Sequence, residues 1–192
     1  LIDGGRVRPG QRMAVFGAGQ MGLQLVGVAK HLGLEVVAVD PLGLRRTLAI
    51  ELGAAAAAAP RTAAKEIGRR WEAGADLAVV AVGDPRAVRE ALNVVRPGGT
   101  VVLFAGFGDK GRGAIDLNII HYREIALVGT TWVGVAPNQR LELYDRALTL
   151  LETGAVPTER LVSAYCGLGE LERFMERHAR HQELKTIVIP EG

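Results

Sequence analysis

The chain has 192 residues, enough for one ordinary hydrophobic core and a small appendage. Nearly half of it is apolar, Gly and Ala abound and aromatics are scarce, which suits a closely packed α/β protein and excludes a disordered one. A formal charge of +2, with no basic block interleaved with aromatics, argues against nucleic acid, and the single cysteine, Cys166, excludes an internal disulfide and a Cys-rich zinc site.

No apolar stretch reaches the length of a membrane span and there is no signal peptide, so a soluble cytoplasmic protein is expected. The chain opens Leu1-Ile2-Asp3-Gly4-Gly5, without methionine and without room for an element before the first strand. A processed start or a tag remnant would explain this opening, as would excision from a longer protein.

Strand-like and helix-like runs alternate with short connectors, which predicts an α/β fold with a doubly wound, mostly parallel sheet. The first strand is expected at Arg12 to Phe16. A helix follows from Gln20 to Leu32, with Met21, Leu25, Val28, Ala29 and Leu32 on one side and Gly33 as its stop. A strand at Glu35 to Val39 leads to a helix from Leu44 to Leu52. Helix propensity favours the alanine run Ala54 to Ala59, but Gly53 before it and Pro60 after it leave room only for a short third strand. A helix at Ala63 to Glu72, a strand at Leu77 to Val82 and a helix at Arg86 to Val95 come next, with Pro85 suited to the first turn of the last.

Arg96-Pro97-Gly98-Gly99 reads as a tight turn feeding a fifth strand, Thr100 to Ala105, and Gly106 to Gly113 as a glycine-rich loop. A sixth strand is expected at Ile125 to Thr131, at an edge of the sheet. A long amphipathic helix from Pro137 to Thr153 ends at Gly154. A short strand (Leu161 to Tyr165), a helix (Glu170 to His181) and a last strand (Thr186 to Ile189) complete the chain.

The chemistry concentrates in Gly17-Ala18-Gly19-Gln20-Met21-Gly22, directly after the first apolar run. Gly17 permits a tight turn, Gly19 lets a backbone approach a pyrophosphate, and Gly22 lets the helix pack close to the sheet. The helix N-terminus at Gln20 and Met21 offers free amides and partial positive charge. Asp40 lies 18 positions beyond Gly22, at the end of the second strand, where a carboxylate can accept both hydroxyls of an adenosine ribose. That charge would repel a 2′-phosphate and so favours NAD over NADP. Arg45 and Arg46 act against this preference, since a guanidinium accepts phosphate, and Arg45 is read as a ribose or adenine-side contact.

Past this fingerprint, the ordered motifs resemble the cofactor domain, a Rossmann fold, of the medium-chain, zinc-dependent alcohol dehydrogenases. Arg8-Pro9-Gly10-Gln11-Arg12 looks like the start of that domain, Glu51-Leu52-Gly53-Ala54 like the end of its second helix, and Val80-Ala81-Val82-Gly83 like its fourth strand and turn. Arg96-Pro97-Gly98-Gly99-Thr100 matches the turn before its fifth strand. Asn118-Ile119-Ile120-His121-Tyr122-Arg123-Glu124, followed by Gly129, looks most like the sorbitol and polyol dehydrogenase branch.

The resemblance implies that Val82, Gly83, Ala105, Gly106 and Phe107 line the adenosine and nicotinamide sides of a cleft, with Thr130 and Thr131 beside the nicotinamide. Phe107 and Trp132 are at best rim candidates for a substrate. It implies a dinucleotide-binding domain at residues 1–155, a segment at 156–192 returning to a catalytic domain, and a homodimer or tetramer through strand 125–131. That catalytic domain, with its zinc ligands, is not in this sequence, so a small alcohol or ketone would be a substrate of the full-length enzyme only. His178 and His181 are three apart on a predicted helix, but among Arg177, Arg180 and Glu183 they read as a solvated face and not as a metal site.

Two other classes stay open on the residues alone. An S-adenosylmethionine-dependent methyltransferase also uses a glycine turn and a ribose-binding acid, although Gly22 and the basic Arg12 favour a dinucleotide. A stand-alone nucleotide-sensing module is the other.

Overall fold

The computed structural model describes residues 7–131 and 136–190. Five apolar runs separated by helices form the heart of a six-stranded, all-parallel sheet. Its strands are β1 (Arg12–Phe16), β2 (Glu35–Val39), β3 (Ala56–Ala58), β4 (Ala75–Val80), β5 (Val95–Leu103) and β6 (Ala126–Gly129), in the order β3-β2-β1-β4-β5-β6. The doubly wound α/β expectation is met. The order reverses between β1 and β4, where crevices open at the carboxyl ends of such strands.

Helices cover both faces, and this explains why β1 is apolar at successive positions. Met13 and Val15 point one way, joining Val36, Ala38, Leu77 and Val79 against α1 (Gln20–His31) and α2 (Gly43–Glu51). Ala14 and Phe16 point the other way, joining Val37, Val39, Ala78 and Val80 against α3 (Pro60–Arg70) and α4 (Pro85–Val94). The face of α1 differs from the expected one. Gly22, Leu23, Leu25, Val26, Gly27 and Ala29 are buried while Met21 is 45% exposed, because the sheet and the C-terminal segment press on α1 from adjacent sides.

The alanine run does hold a strand, β3, between Gly53 at φ +105° and Pro60 at the start of α3. In β5 the Arg96–Gly99 stretch is not a turn before the strand but part of it, absorbed by a register shift between the Ala75 and Leu77 pairings. The strand ends at Leu103, short of Ala105, because the amides of Phe104 and Ala105 both donate to the Val80 carbonyl. A helix that the pattern does not predict, α5 (Leu117–Tyr122), is capped by Asp116, whose Oδ1 accepts the Asn118 amide at 2.9 Å. Six residues are too few to display a helical period.

β6 lies at the sheet edge as expected, paired among the described residues to β5 alone. Helix α6 (Pro137–Glu152) precedes Gly154, which has φ +71°. Leu161 is not in a strand. It closes a short α7 (Thr158–Leu161) and is buried against the α1 and α2 side of the core. The expected strand begins later, as β7 (Ala164–Cys166), and pairs in parallel with β8 (Thr186–Val188) in a sheet of its own, while α8 (Leu171–Ala179) lies between them.

At the amino-terminal end of the sheet, Asp76 ties three segments together. Its Oδ2 accepts the Arg12 amide at 2.8 Å and Arg12 Nε at 3.1 Å, and its Oδ1 accepts Arg96 Nε at 2.6 Å. Burial by itself would raise the Asp76 carboxyl, but these bonds and the charge of Arg12 outweigh it and hold the group well below the usual carboxylate range. A depressed folded value means stability that is present above the ordinary value of 3.8 and lost as the pH falls through the folded one. Urea unfolding between about pH 5 and about pH 2 should show wild-type stability falling with acid. The Asp76→Asn chain should be weaker at neutral pH, with a flatter acid slope. Equal slopes would exclude this account.

Candidate functional site

The turn from β1 into α1 is built from glycines that do separate things. Gly17 has φ +95° and donates its amide to the Val39 carbonyl at 2.7 Å. A Cβ there would lie 3.0 Å from Val82 Cβ and 3.2 Å from the Ala81 carbonyl. Gly22 is forced by packing, since its Cβ would fall 1.8 Å from the Gly17 carbonyl oxygen. Gly19 is different. Among the described residues, and chain neighbours aside, the one atom within 4 Å of a Cβ placed there is Arg45 Nη1, at 3.8 Å, so packing gives no reason for a glycine.

Gly19 is also the N-cap of α1, where no side chain caps the helix and no acidic residue stands in the first turn. Gln20 is half-buried and Met21 exposed. The first amides of α1 are thus left to whatever approaches the open side of Gly19.

Asp40 closes β2 with only 2% of its surface exposed. Its Oδ2 accepts the Ala18 amide at 2.8 Å and its Oδ1 the Leu42 amide at 2.9 Å. Arg45 Nη1 lies 3.9 Å from Oδ2. Arg46 turns the other way, donating from Nη1 to the carbonyls of Asp40 and Pro41 at 2.8 Å each. The sequence reading missed Ala18 and Leu42 as partners of Asp40, and it read Arg46 as a phosphate-accepting guanidinium where the structure commits it to two carbonyls. The first two act through main-chain amides, which leave no trace in residue type.

The loops after β4 and β5 meet beside this corner. A Cβ on Gly83 would lie 2.6 Å from the Gly106 carbonyl oxygen, and Val82, 38% exposed, stands against Gly17. Ala105 is held to Val80, Gly106 has open space around it, and Phe107 is half-buried on the α3 and α4 side of the core. Thr130 bonds the Leu103 carbonyl through its amide and its Oγ1, at 3.1 and 3.3 Å, and Thr131 is exposed. The predicted residues therefore gather at the carboxyl ends of β1, β2, β4, β5 and β6. Trp132 lies outside the described residues, as does the opening Leu1 to Gly5.

Arg12 is corrected by the structure. It sits at the start of β1 and pairs with Asp76, at the opposite end of the strand from the glycine turn, so it gives no support to a phosphate site. A cavity of about 380 Å³ lies elsewhere too, at the C-terminal end of α1, lined by Lys30, His31, Glu51 and the segment around Ala155.

Residues 17–152 match the family of zinc-binding dehydrogenases. The chain belongs to that family. It is 35% identical over 194 residues to an NDMA-dependent alcohol dehydrogenase of Amycolatopsis methanolica, covering 96% of this chain and 51% of the relative. It is 31% identical over 198 residues to D-xylulose reductase A of Aspergillus niger, covering 98% and 52%. A candidate zinc-binding dehydrogenase from Sinorhizobium meliloti 1021, solved bound to NADP, superposes with a TM-score of 0.85 at 26% identity, over 98% of this chain and 55% of that one. The chain spans about half the length of the curated relatives it matches.

Zinc does not fit this zinc-binding dehydrogenase domain as described. Among the described residues no group of three or more His, Cys, Asp or Glu converges, Cys166 is buried in β7, and His181 has left α8 at φ +59°. No described helix is long and apolar enough to cross a membrane.

The glycines separate by experiment. Gly22→Ala gains helix propensity of about 1 kcal/mol but drives a methyl into backbone, and overpacking of that kind costs about 1–3 kcal/mol or more, so a net loss is expected. Gly19→Ala should cost less than about 1 kcal/mol, the price of a poorer N-cap. Urea midpoints of the two variants check the difference, and equal losses would refute it.

Proposed function

We propose that this chain is the NAD(H)-binding half of a zinc-dependent alcohol or polyol dehydrogenase. The observation that carries the reading is the open side of Gly19 at an uncapped helix N-terminus, set where the strand order reverses. A pyrophosphate fits there, against the amides of Gln20, Met21 and Gly22. Asp40 and Arg45 would hold the adenosine ribose, and Val82, Gly83, Ala105, Gly106, Phe107, Thr130 and Thr131 would line the way to the nicotinamide.

A bound nicotinamide supplies hydride exchange with an alcohol or ketone. This chain's own residues bind and orient it. In this reading residues 1–155 form the dinucleotide domain, 156–192 return to a catalytic domain that holds the zinc and most of the substrate pocket, and the enzyme works in the cytoplasm. The polyol branch is supported by the similarity to D-xylulose reductase.

The charge of Asp40 favours NAD. Arg46 is committed to two carbonyls, which leaves Arg45 as the cation beside the carboxylate. Strand β6, with Ala126 and Gly129 exposed at the sheet edge, is the surface through which two subunits would pair into a dimer or tetramer.

Titration calorimetry on the purified chain tests the reading. NADH should bind, at least about tenfold more tightly than NADPH, a difference of about 1.4 kcal/mol. The chain by itself should oxidise no alcohol. Absence of heat with both dinucleotides would overturn the proposal, as would turnover at the rate of a complete dehydrogenase.

A further inference from the structure

A carboxylate as deeply buried as Asp40 has to find partners, and among the described residues both donors that hydrogen-bond it are main-chain amides. Ala18, which donates to Oδ2, lies inside the glycine turn. Its neighbour Gly17 donates to the Val39 carbonyl, so the turn is held to the end of β2 by two adjacent bonds, one to backbone and one to this side chain. Leu42, which donates to Oδ1, is the N-cap residue of α2. Arg45 closes the outer side, with 19% of its side chain exposed against 3% for Asp40, so the guanidinium is the more open of the two groups at that corner.

We infer that Asp40 acts first as a brace for the phosphate loop, and that any contact it makes with a ribose is additional. The carboxylate sets the direction of the Ala18 amide and with it the shape of the Gly17–Gly22 turn. A clamp on the sugar affects only ligands that carry a ribose. A brace on the turn also affects a ligand that is phosphate alone. It makes Asp40 a positioning residue for the pyrophosphate, acting through Ala18. The consequence for nucleotide affinity rests on the dinucleotide reading above, whereas the bracing itself does not.

The test pairs Asp40→Asn with two probes, NADH and inorganic pyrophosphate, and follows the Ala18 amide by hydrogen exchange. An Asn side chain keeps one acceptor oxygen and turns an NH₂ toward the other amide, so one of the two bonds is lost. Loss of such a charge-assisted bond corresponds to about tenfold. Exchange at Ala18 or Leu42 should quicken by that factor while Met13 to Val15 in β1 stay protected, and the affinities for pyrophosphate and NADH should fall together. Arg45→Ala should leave Ala18 exchange unchanged.

If Asp40→Asn weakens NADH alone, with Ala18 and Leu42 exchange and pyrophosphate affinity intact, Asp40 is a ribose clamp only and the inference fails. Uniformly faster exchange through β1 also defeats it, since that reports global loss of stability. A wild-type chain that binds neither dinucleotide, with Ala18 or Leu42 exchange still quickened in the variant, sinks the dinucleotide reading and leaves the brace standing. Should the variant not fold, the wild-type chain decides by NMR: the Ala18 and Leu42 amides must be slow to exchange without nucleotide, and fast exchange there rejects the brace.

Discussion

Helix α1 is pressed so closely onto the turn preceding it that a single methyl group at Gly22 would stand 1.8 Å from the Gly17 carbonyl oxygen. That approach fixes where the helix starts and aims its N-terminus across the carboxyl end of β1. Gly17, at φ +95° and against Val82, makes the reversal possible. With the helix seated this way, Leu23, Val26 and Ala29 fall onto Met13, Val15 and Val36, and one face of the sheet is sealed. The functional corner and the core on that side thus depend on the same missing side chain.

The two ends of the sheet use charge differently. At the amino-terminal end, Asp76 binds Arg12 and Arg96 and joins β1, β4 and β5. At the carboxyl end, Asp40 is satisfied by amides, and the charges beside it are the guanidinium of Arg45 and the uncapped dipole of α1. One end therefore shares a single carboxylate between two guanidinium groups, and the other sets a carboxylate between main-chain amides and one guanidinium.

Burial is uneven along the chain. Up to β5 nearly every strand residue is covered, whereas Leu141, Tyr144 and Leu148 on α6, and Leu168 and Met175 around α8, are exposed. The relatives are about twice as long as the matched region.

The strands β1 and β2, the edge position of β6, the short β3 and the glycine turn were legible in the sequence because each is a local signal: an apolar run, a glycine or proline boundary, a fixed spacing. The buried face of α1, the bulged start of β5 and the brief α5 were not, because they depend on what packs alongside and on hydrogen bonds between distant segments. Arg12 shows the same limit, since its partner Asp76 is 64 positions away.

At the candidate site, residue type alone determined that Gly17, Gly19, Gly22 and Asp40 stand together at the ends of two neighbouring strands. Only the tertiary structure decided that Gly22 answers to packing and Gly19 to open space, and that both oxygens of Asp40 are taken by amides. A sequence specifies side chains and their spacing along the chain. Which backbone groups they meet is set by how strands align across the sheet, and that alignment exists only once the helices have closed over both faces.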